Sequence, residues 1–263
     1  MKILITGGTG TIGRALASIH SDVDTTIFSR NELSQVKMKR DLPYHKYIIG
    51  DIRDYSEVYK ACDGMDYVFH FAALKHVNIC EEQPQEAVKS NVLGTANLIN
   101  ACKEHGAKLI NMSSDKAIKP KNVYGVTKFL SEEMSTQAGF LSVRSGNVLW
   151  SNGSVFPIWK KQLKDTNSIN ITSKSMTRFF ISPKEVVDFI WEKKDKSGVQ
   201  TVPMESFKLY DIATEFVKRF GNSESLINVT GLRPGEREYE YRDEFTSSDD
   251  HINTNLNYIF DDE

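Results

Sequence analysis

Tyr124 and Lys128 stand one helical turn apart in a segment whose apolar pattern predicts a helix, so both side chains share a helix face. The lysine charge lowers the cost of a tyrosinate, which can take a proton from a substrate hydroxyl while hydride leaves the same carbon. Shortly before this helix, Asp115 and Lys116 offer a second acid and base. Oxidation of an alcohol needs only the first pair, so the second pair predicts chemistry beyond oxidation.

The elements that must position these residues alternate between strands and helices from the first residue onward. This rhythm predicts an α/β fold, a Rossmann-like doubly wound parallel sheet whose ligands bind at the carboxyl ends of its strands. Asp115 and Lys116 follow such an end, which favours catalysis over the ordinary interpretation of a solvated surface pair. The predicted strands are Ile3–Ile5, Thr25–Phe28, Tyr47–Ile49, Tyr67–Phe71, Lys108–Met112 and Leu141–Val143, and the predicted helices are Ile12–Ile19, Asn31–Arg40, Tyr55–Cys62, Gln85–Lys103 and Val123–Ala138.

The domain organisation follows from a loosening of this pattern after Val148. Residues 1–148 are predicted to form a dinucleotide-binding domain that carries the catalytic residues. Residues 149–244 are predicted to form a small substrate-binding lobe interleaved with the first domain, with helices at Val155–Leu163, Pro183–Lys193 and Lys208–Phe220. Residues 245–263 are polar and acidic, which predicts a poorly ordered, solvated tail.

The first strand runs into the loop TGGTGTIG, residues 6–13, which opens the first helix. Three glycines have separate tasks: a tight turn, close approach of the backbone to a pyrophosphate, and close packing of the helix. A glycine triplet alone is weak evidence, but between a strand and a helix it predicts dinucleotide binding rather than a merely tight turn. The predicted contacts are Gly7, Thr9, Gly10, Thr11, Ile12 and Gly13.

The second strand ends in Ser29 and Arg30, with no carboxylate there to accept hydrogen bonds from a ribose 2′-hydroxyl. A guanidinium can instead pair with a 2′-phosphate, which favours NADP. The alternative is NAD, with Arg30 on a surface loop and Glu32 contacting the ribose. Later strand ends add further predicted cofactor contacts, namely Asp51 and Ile52 after the third strand and Ala72 and Ala73 after the fourth.

Composition and charge exclude several classes of function. A formal net charge of -2 provides no basic field for a nucleic acid or an anionic membrane. The three cysteines show no metal-ligand spacing, so no metal site is expected, and their odd number suits a reducing compartment. We see neither a signal-peptide pattern nor an apolar run long enough for a membrane helix, so a cytoplasmic location is expected.

Beyond these patterns, the chain resembles the extended short-chain dehydrogenase/reductase family. Within that family it is similar to the UDP-N-acetylglucosamine 4,6-dehydratases, especially the inverting kind that starts pseudaminic acid synthesis. The resemblance extends from the first strand to about residue 240. It is carried by TGGTGTIG at 6–13, SRNEL at 29–33, GDIRD at 50–54, HFAALKHV at 70–77, NVLGT at 91–95, SSDKA at 113–117, NVYGVTK at 122–128, RSGNV at 144–148, GSV at 153–155, MTRFF at 176–180 and GLRPGE at 231–236.

The resemblance implies a redox-neutral mechanism with tightly held NADP. Tyr124 would deprotonate the C4 hydroxyl as hydride leaves C4, and the C4 ketone would acidify the C5 proton. Lys116 would remove that proton while Asp115 protonates the departing C6 hydroxyl. Hydride would then return to C6, and a proton that returns to the opposite face would invert C5. Ser114 would belong to the same centre, and the Asp-Lys pair, where glucose-nucleotide dehydratases have Asp-Glu, favours the acetamido sugar.

The remaining site residues also come from the resemblance. Lys75 and Asn91 would approach the cofactor, and Lys75 is also a candidate for the sugar. The sugar nucleotide would contact Asn147, Ser154, Val155, Arg178, Arg233 and Glu236. The two arginines suit its diphosphate, with a surface ion pair as the alternative for each. Relatives generally form homo-oligomers, and so a homo-oligomer is expected.

Three residues depart from the usual family pattern. Ser145 stands where the family usually has tyrosine, and Ser114 and Arg237 replace the usual threonine and lysine. These departures affect substrate detail more than the chemistry. The alternatives are a retaining UDP-N-acetylglucosamine 4,6-dehydratase, a sugar-nucleotide 4-epimerase, and a non-catalytic NADP-sensing protein that kept the fold.

Overall fold

The large layer of the computed structural model, which describes residues 1–260, is a seven-stranded sheet in which every neighbouring pair of strands is parallel. Its strands are β1 (Lys2–Thr6), β2 (Asp24–Ser29), β3 (Lys46–Ile49), β4 (Tyr67–His70), β5 (Lys108–Met112), β6 (Leu141–Arg144) and β10 (Gly198–Thr201). The spatial order is β10-β6-β5-β4-β1-β2-β3, so the winding direction reverses between β1 and β4. This order confirms the predicted doubly wound α/β sheet.

Helices cover both faces of this sheet, which explains the buried apolar run Ile3, Leu4 and Ile5 in its central strand. None of the helices within residues 1–260 is long and apolar enough to cross a membrane. The helices are α1 (Thr11–Ile19), α2 (Glu32–Asp41), α3 (Tyr55–Cys62), α4 (Val77–Glu82), α5 (Pro84–Val88), α6 (Gly94–His105), α7 (Val123–Gln137), α8 (Val155–Thr166), α9 (Pro183–Lys193), α10 (Leu209–Phe220) and α11 (Asn257–Phe260).

The helix predicted over Gln85–Lys103 is interrupted. A π-helical turn at Lys89–Leu93 separates α5 from α6. The Asn91 side chain explains why this turn is stable, because it accepts a hydrogen bond from Leu74 N at 2.8 Å and donates one to Leu74 O at 2.9 Å. Apolar periodicity does not reveal such an insertion, since it changes the hydrogen-bond pattern by one residue while the helix continues.

A second lobe is built around a cluster of aromatic side chains that includes Phe156, Trp159 and Phe216, each fully buried. Its strands are β7 (Asn147–Val148), β8 (Ser168–Ile171), β9 (Thr177–Ile181), β11 (Glu205–Lys208) and β12 (Leu226–Val229). They form a three-stranded sheet in the order β11-β9-β7 and a two-stranded sheet of β12 and β8. Between these strands the chain returns to the large sheet, where α9 contacts α1 and β10 pairs with β6.

The end of the chain differs from the sequence expectation. We expected residues 245–263 to be a solvated tail, and this is wrong at Ser248, Ile259 and Phe260, whereas Phe245 and residues 249–252 are exposed. Ser248 and Ile259 are fully buried, and Phe260 packs with Ile259 into the aromatic core of the second lobe. Apolar side chains near the end of an acidic segment therefore anchor it to the fold. Residues 261–263 of the predicted tail lie outside the described residues.

Candidate active site

The glycine-rich loop connects β1 to α1 at the point where the strand order reverses. Gly7 has φ of 65°, and a Cβ atom there would lie 2.6 Å from Ala72 N. At Gly13 a Cβ atom would lie 2.5 Å from Gly8 Cα, so glycine is needed for close packing. Gly10 N donates to Gly7 O at 2.9 Å and precedes the first turn of α1. This bare helix N-terminus fits the pyrophosphate of a dinucleotide.

Polar side chains at the end of β2 and in the loop after β3 lie beside the glycine-rich loop. Thr9 Oγ1 donates to Ser29 Oγ at 3.4 Å. The carboxylate of Asp51 accepts hydrogen bonds from Arg53 at 2.8 and 2.6 Å, and Arg30 lies 3.7 Å from the same carboxylate. The Arg30 side chain remains 55% exposed, so an anion can reach its guanidinium. Ile52 is buried, and its side chain contacts Gly94, which leaves only its backbone for a ligand.

The segment after β4 packs closely against the glycine-rich loop. Ala72 approaches Gly7, and its neighbour Ala73 is partly buried. Asn91 is buried and also donates to Thr127 Oγ1 at 3.0 Å, so it ties this segment to α7. Lys75 Nζ donates to Asn152 O at 2.6 Å. The Asn91 side chain thus links the segment after β4 to α7 through its hydrogen bonds. Its predicted contact with the cofactor stays a prediction.

A 3-10 turn at Asp115–Ala117 follows the carboxyl end of β5 and carries the predicted acid/base pair. Ser114 Oγ begins the turn by accepting from Lys116 N at 3.3 Å, and it donates to Asp115 Oδ1 at 2.9 Å. Lys116 Nζ donates to the same oxygen at 3.0 Å. The backbone of Asp115 is fixed as well, since its amide donates to Ser145 O at 2.9 Å. The structure therefore brings Ser114, Asp115 and Lys116 together, as predicted.

Helix α7 places Tyr124 and Lys128 beside this turn. Asn122 caps the helix by accepting from Gly125 N at 2.7 Å. A Cβ atom at Gly125 would lie 2.3 Å from Lys116 O, so this glycine allows the helix to touch the turn. Sequence reasoning gave Gly125 and Asn122 no role of their own, although both belong to the NVYGVTK segment. The short approach explains why a glycine follows Tyr124.

The electrostatics of the pair reflect a site poor in water. Desolvation raises the pKa of Tyr124 to about 12, while the Lys116 charge and the Ser114 hydroxyl act in the opposite direction. Burial lowers the pKa of Lys128 to about 8, and the Glu132 carboxylate opposes that shift. Both shifts disfavour the charged forms, so a bound ligand or a neighbouring charge is needed to favour the tyrosinate.

The predicted sugar contacts at the start of the second lobe lie on β7 and α8. Asn147 Nδ2 donates to Phe179 O at 3.0 Å, which fixes the amide on β9. Ser154 precedes the first turn of α8, and its buried Oγ has no hydrogen-bond partner within residues 1–260. Val155 packs against the aromatic core of the second lobe. An unpaired hydroxyl at a helix N-terminus is available to a polar ligand.

The two arginines predicted to contact the diphosphate are held differently. Arg178 is buried, and its guanidinium donates to the backbone carbonyls of Thr177, Glu238 and Arg237 at 2.7, 3.0 and 2.6 Å. Arg233 is 66% exposed and pairs with Glu236 at 3.0 Å. The Arg233–Glu236 contact is the ion pair that we considered as the alternative. Arg178 instead fixes the backbone of residues 237–238, and the diphosphate contact of each arginine stays a prediction.

Sequence reasoning missed two buried titratable residues at this edge of the sheet. His70 bridges Thr6 Oγ1 at 2.7 Å and Thr95 Oγ1 at 3.1 Å, and burial together with the Lys128 charge lowers its pKa to about 3. It is therefore a neutral hydrogen-bonding link between β1 and α6. Glu240 lies 3.3 Å from Lys116 Nζ and is 2% exposed. The GLRPGE segment, which ends shortly before Glu240, was the available signal.

The fold and the grouped Asp115, Lys116, Tyr124 and Lys128 side chains define an extended short-chain dehydrogenase/reductase. The family described as "Polysaccharide biosynthesis protein" matches residues 3–261, and the chain belongs to this family. It is an enzyme of the sugar-nucleotide dehydratase and epimerase group within these dehydrogenases/reductases.

Individual relatives include both kinds of enzyme. The chain is 35% identical over 280 residues to the UDP-N-acetylglucosamine 4,6-dehydratase (inverting) of Campylobacter jejuni, covering 99% of this chain and 80% of the relative. It is 38% identical over 267 residues to a UDP-glucose 4-epimerase of Rickettsia canadensis, covering 90% and 76%. The X-ray structure of Pen from Bacillus thuringiensis superimposes with a TM-score of 0.89 at 36% identity, covering 92% of this chain and 83% of Pen.

Proposed function

We propose that the chain is a UDP-N-acetylglucosamine 4,6-dehydratase that inverts C5. The observation that carries the proposal is the contact of 3.0 Å between Lys116 Nζ and Asp115 Oδ1, beside Tyr124. It provides an acid and a base in addition to the tyrosine that a simple oxidation needs. The Campylobacter jejuni relative supports the choice of reaction and of a UDP-linked acetamido sugar.

In this proposal the chain's own residues handle the protons. Tyr124 accepts the proton of the C4 hydroxyl, and the charge of Lys116 favours its phenolate. Bound NADP would supply the hydride chemistry of the reaction, namely removal of a hydride from C4 and its return to C6. Lys116 then passes a proton to Asp115 along their hydrogen bond of 3.0 Å. The neutral Lys116 amine takes the C5 proton while Asp115 gives the acquired proton to the departing C6 hydroxyl, so that water leaves and a C5–C6 double bond forms. Return of a proton to the opposite face of C5 gives the inverted ring.

The proposed preference for NADP over NAD rests on the residues around the glycine-rich loop. The glycine-rich loop and the N-terminus of α1 would hold the pyrophosphate, and Tyr124 and Lys128 would also contact the cofactor. Arg30 is exposed at the end of β2 and supports NADP over NAD, because a guanidinium pairs well with a 2′-phosphate. A place in pseudaminic acid synthesis and homo-oligomeric assembly rest on the resemblance, and a cytoplasmic location rests on sequence patterns. All three stay predictions.

A sugar-nucleotide 4-epimerase is the second candidate, and the Rickettsia canadensis relative favours it. One incubation separates the candidates: purified protein with UDP-N-acetylglucosamine in deuterated water, followed by NMR of the products. The proposal predicts a 4-keto-6-deoxy sugar with deuterium at C5 and an L-configured ring. A D-configured ring would indicate the retaining reaction, and a 4-epimer without dehydration would indicate the epimerase. No change at all would indicate a protein that only senses the dinucleotide.

A further inference from the structure

Glu240 is a buried carboxylate that belongs to the C-terminal segment and faces the acid/base pair. Its Oε1 lies 3.3 Å from Lys116 Nζ, and its Oε2 lies 3.8 Å from Arg237 Nη1. Within residues 1–260, Oε2 has no hydrogen-bond partner. A buried, incompletely paired carboxylate is costly for stability, so its presence beside a catalytic lysine calls for a functional explanation.

The backbone around Glu240 is fixed by one fully buried serine. Glu240 N donates to Ser248 Oγ at 3.0 Å, and Ser248 N donates back to Glu240 O at 2.8 Å. The Ser248 hydroxyl also contacts Thr177 Oγ1 at 2.8 Å on β9. Glu240 is therefore held against the second lobe at two backbone atoms, and its carboxylate has a defined position relative to Lys116.

Two arginines fix the same segment: Arg237 ties it to the active-site turn, and Arg178 ties it to β9. Arg237 Nη1 donates to Ile118 O at 3.0 Å, and Ile118 immediately follows the turn that carries Lys116. Arg178 donates to Arg237 O at 2.6 Å. The segment 237–240 therefore contacts the acid/base turn through Arg237 and through the carboxylate of Glu240. Its neighbour Glu238 faces elsewhere, since its carboxylate accepts from Ser173 and Ser175.

The charged and titratable groups that act on Lys116 are Asp115, Glu240, Arg178 and Tyr124. Burial alone would lower the pKa of Lys116, but the charges of Asp115 and Glu240 outweigh burial and Arg178 and raise it above its ordinary value. In the proposed elimination Lys116 has passed a proton to Asp115 along their hydrogen bond, so Asp115 carries a proton and no charge at the start of this step. Glu240 is then the remaining anion beside Lys116.

We propose that Glu240 is a positioning residue that fixes Lys116 Nζ and stabilises the ammonium formed when Lys116 removes the C5 proton. The inference rests on the proposed dehydratase function. As the C5–H bond breaks, its electron pair forms the C5–C6 double bond, and the C6–O bond breaks. Water leaves with the proton from Asp115, and Lys116 ends as an ammonium between two carboxylates. Glu240 thus provides a negative charge beside Lys116 throughout the elimination, whereas Asp115 provides one only after it has given up its proton.

The test compares Glu240→Gln with the matched control Glu238→Gln from the same segment. Two quantities are measured with UDP-N-acetylglucosamine in deuterated water: reduction of bound NADP, which reports C4 oxidation, and incorporation of deuterium at C5, which reports Lys116. We expect E240Q to slow deuterium incorporation and product formation at least about tenfold, while C4 oxidation changes less than about threefold. We expect E238Q to match the unmodified protein in both.

The outcomes separate the two proposals. An unmodified protein that yields no 4-keto-6-deoxy sugar would overturn the dehydratase proposal and this inference with it. An active unmodified protein with normal deuterium incorporation in E240Q would overturn the role of Glu240 alone, and so would an equal loss of both quantities, which indicates a structural role. If E240Q does not fold, Glu240→Asp keeps the charge but shortens the side chain. We expect a severalfold loss of deuterium incorporation in E240D, and an unchanged rate there would also overturn the inference.

Discussion

Lys116 Nζ donates to Asp115 Oδ1 at 3.0 Å, whereas the second oxygen of this carboxylate, Oδ2, is buried without a hydrogen bond within residues 1–260. The carboxylate is therefore fixed on one side by Lys116 and Ser114 and unpaired on the other. An unpaired buried oxygen is suited to a proton that passes to or from a substrate hydroxyl. This asymmetry supports the acid role proposed for Asp115 and the base role proposed for Lys116.

The assignment predicts that Lys116→Ala separates the two stages of the reaction. The variant should still reduce bound NADP with substrate, since Tyr124 and Lys128 remain. That step should slow moderately, because the Lys116 charge lowers the pKa of Tyr124. Elimination should fall at least about 100-fold for loss of the base. Stopped-flow absorbance of the reduced nicotinamide and NMR of the sugar measure the two stages, with Lys121→Ala, an exposed lysine, as control. Normal dehydration by K116A would exclude Lys116 as the base.

The glycine-rich loop gives a prediction about backbone conformation. Gly7→Ala places a Cβ atom at φ of 65° and 2.6 Å from Ala72 N, so it adds a clash to the strain of the left-handed conformation. Gly106→Ala is the matched control, with φ of 74° and open space around the new atom. Strain alone should cost G106A about 1–2 kcal/mol of unfolding free energy. G7A should lose more than G106A and also lose dinucleotide binding, as measured by urea unfolding and calorimetric titration. Equal losses of stability and intact binding in G7A would contradict the proposed close approach.

Much of this site was predictable because its chemistry is local in the sequence. Ser114, Asp115, Lys116, Tyr124 and Lys128 belong to one strand-turn-helix unit, and helical spacing alone puts the last two on one face. The doubly wound sheet was predictable for a similar reason, since buried parallel strands read as short apolar runs between amphipathic helices. Both predictions depend on sequence patterns that span only a few neighbouring residues.

The remaining features depend on contacts between distant parts of the chain. Glu240 reaches Lys116 only because Ser248 and Arg178 hold its segment against β9, and no local period encodes that docking. The packing of Phe260 in the second lobe was missed for the same reason, because the composition of the tail is acidic while two of its side chains complete a core. Amino-acid composition describes a segment on average, whereas the contacts of a few apolar side chains decide whether that segment packs against the fold.

Cofactor choice is tested at Arg30. Its side chain is 55% exposed and lies 3.7 Å from Asp51, so Arg30→Ala removes a partner for a 2′-phosphate and leaves a carboxylate nearby. R30A should bind NADP at least about tenfold more weakly and NAD with nearly unchanged affinity. Calorimetric titration with both dinucleotides measures this, and Arg40→Ala, on the exposed face of α2, should change neither affinity. If the unmodified protein already binds NAD at least tenfold more tightly than NADP, the preference for NADP is wrong.

Lys128 links catalysis to the pH dependence of stability. Its pKa is about 8 in the folded protein and 10.5 in an unfolded chain, so between these values the unfolded chain holds a proton that the folded protein lacks. Stability contributed by this group therefore rises with pH across that window and is lowest below pH 8. Lys128→Met removes the term, while Glu132 keeps its partner Arg144 at 2.9 Å. The gain in unfolding free energy of K128M should be larger at pH 7 than at pH 9.5 by about 2 kcal/mol.

Urea unfolding at the two pH values tests this relation, with Lys121→Met as an exposed control whose effect should not depend on pH. The same K128M protein should have lost C4 oxidation, because the proposal gives Lys128 the role of favouring the Tyr124 phenolate. A variant that is inactive yet more stable at neutral pH would show that the buried lysine is kept for its chemistry at a cost in stability. An equal change in unfolding free energy at both pH values would mean that the folded protein leaves the pKa of Lys128 near its ordinary value.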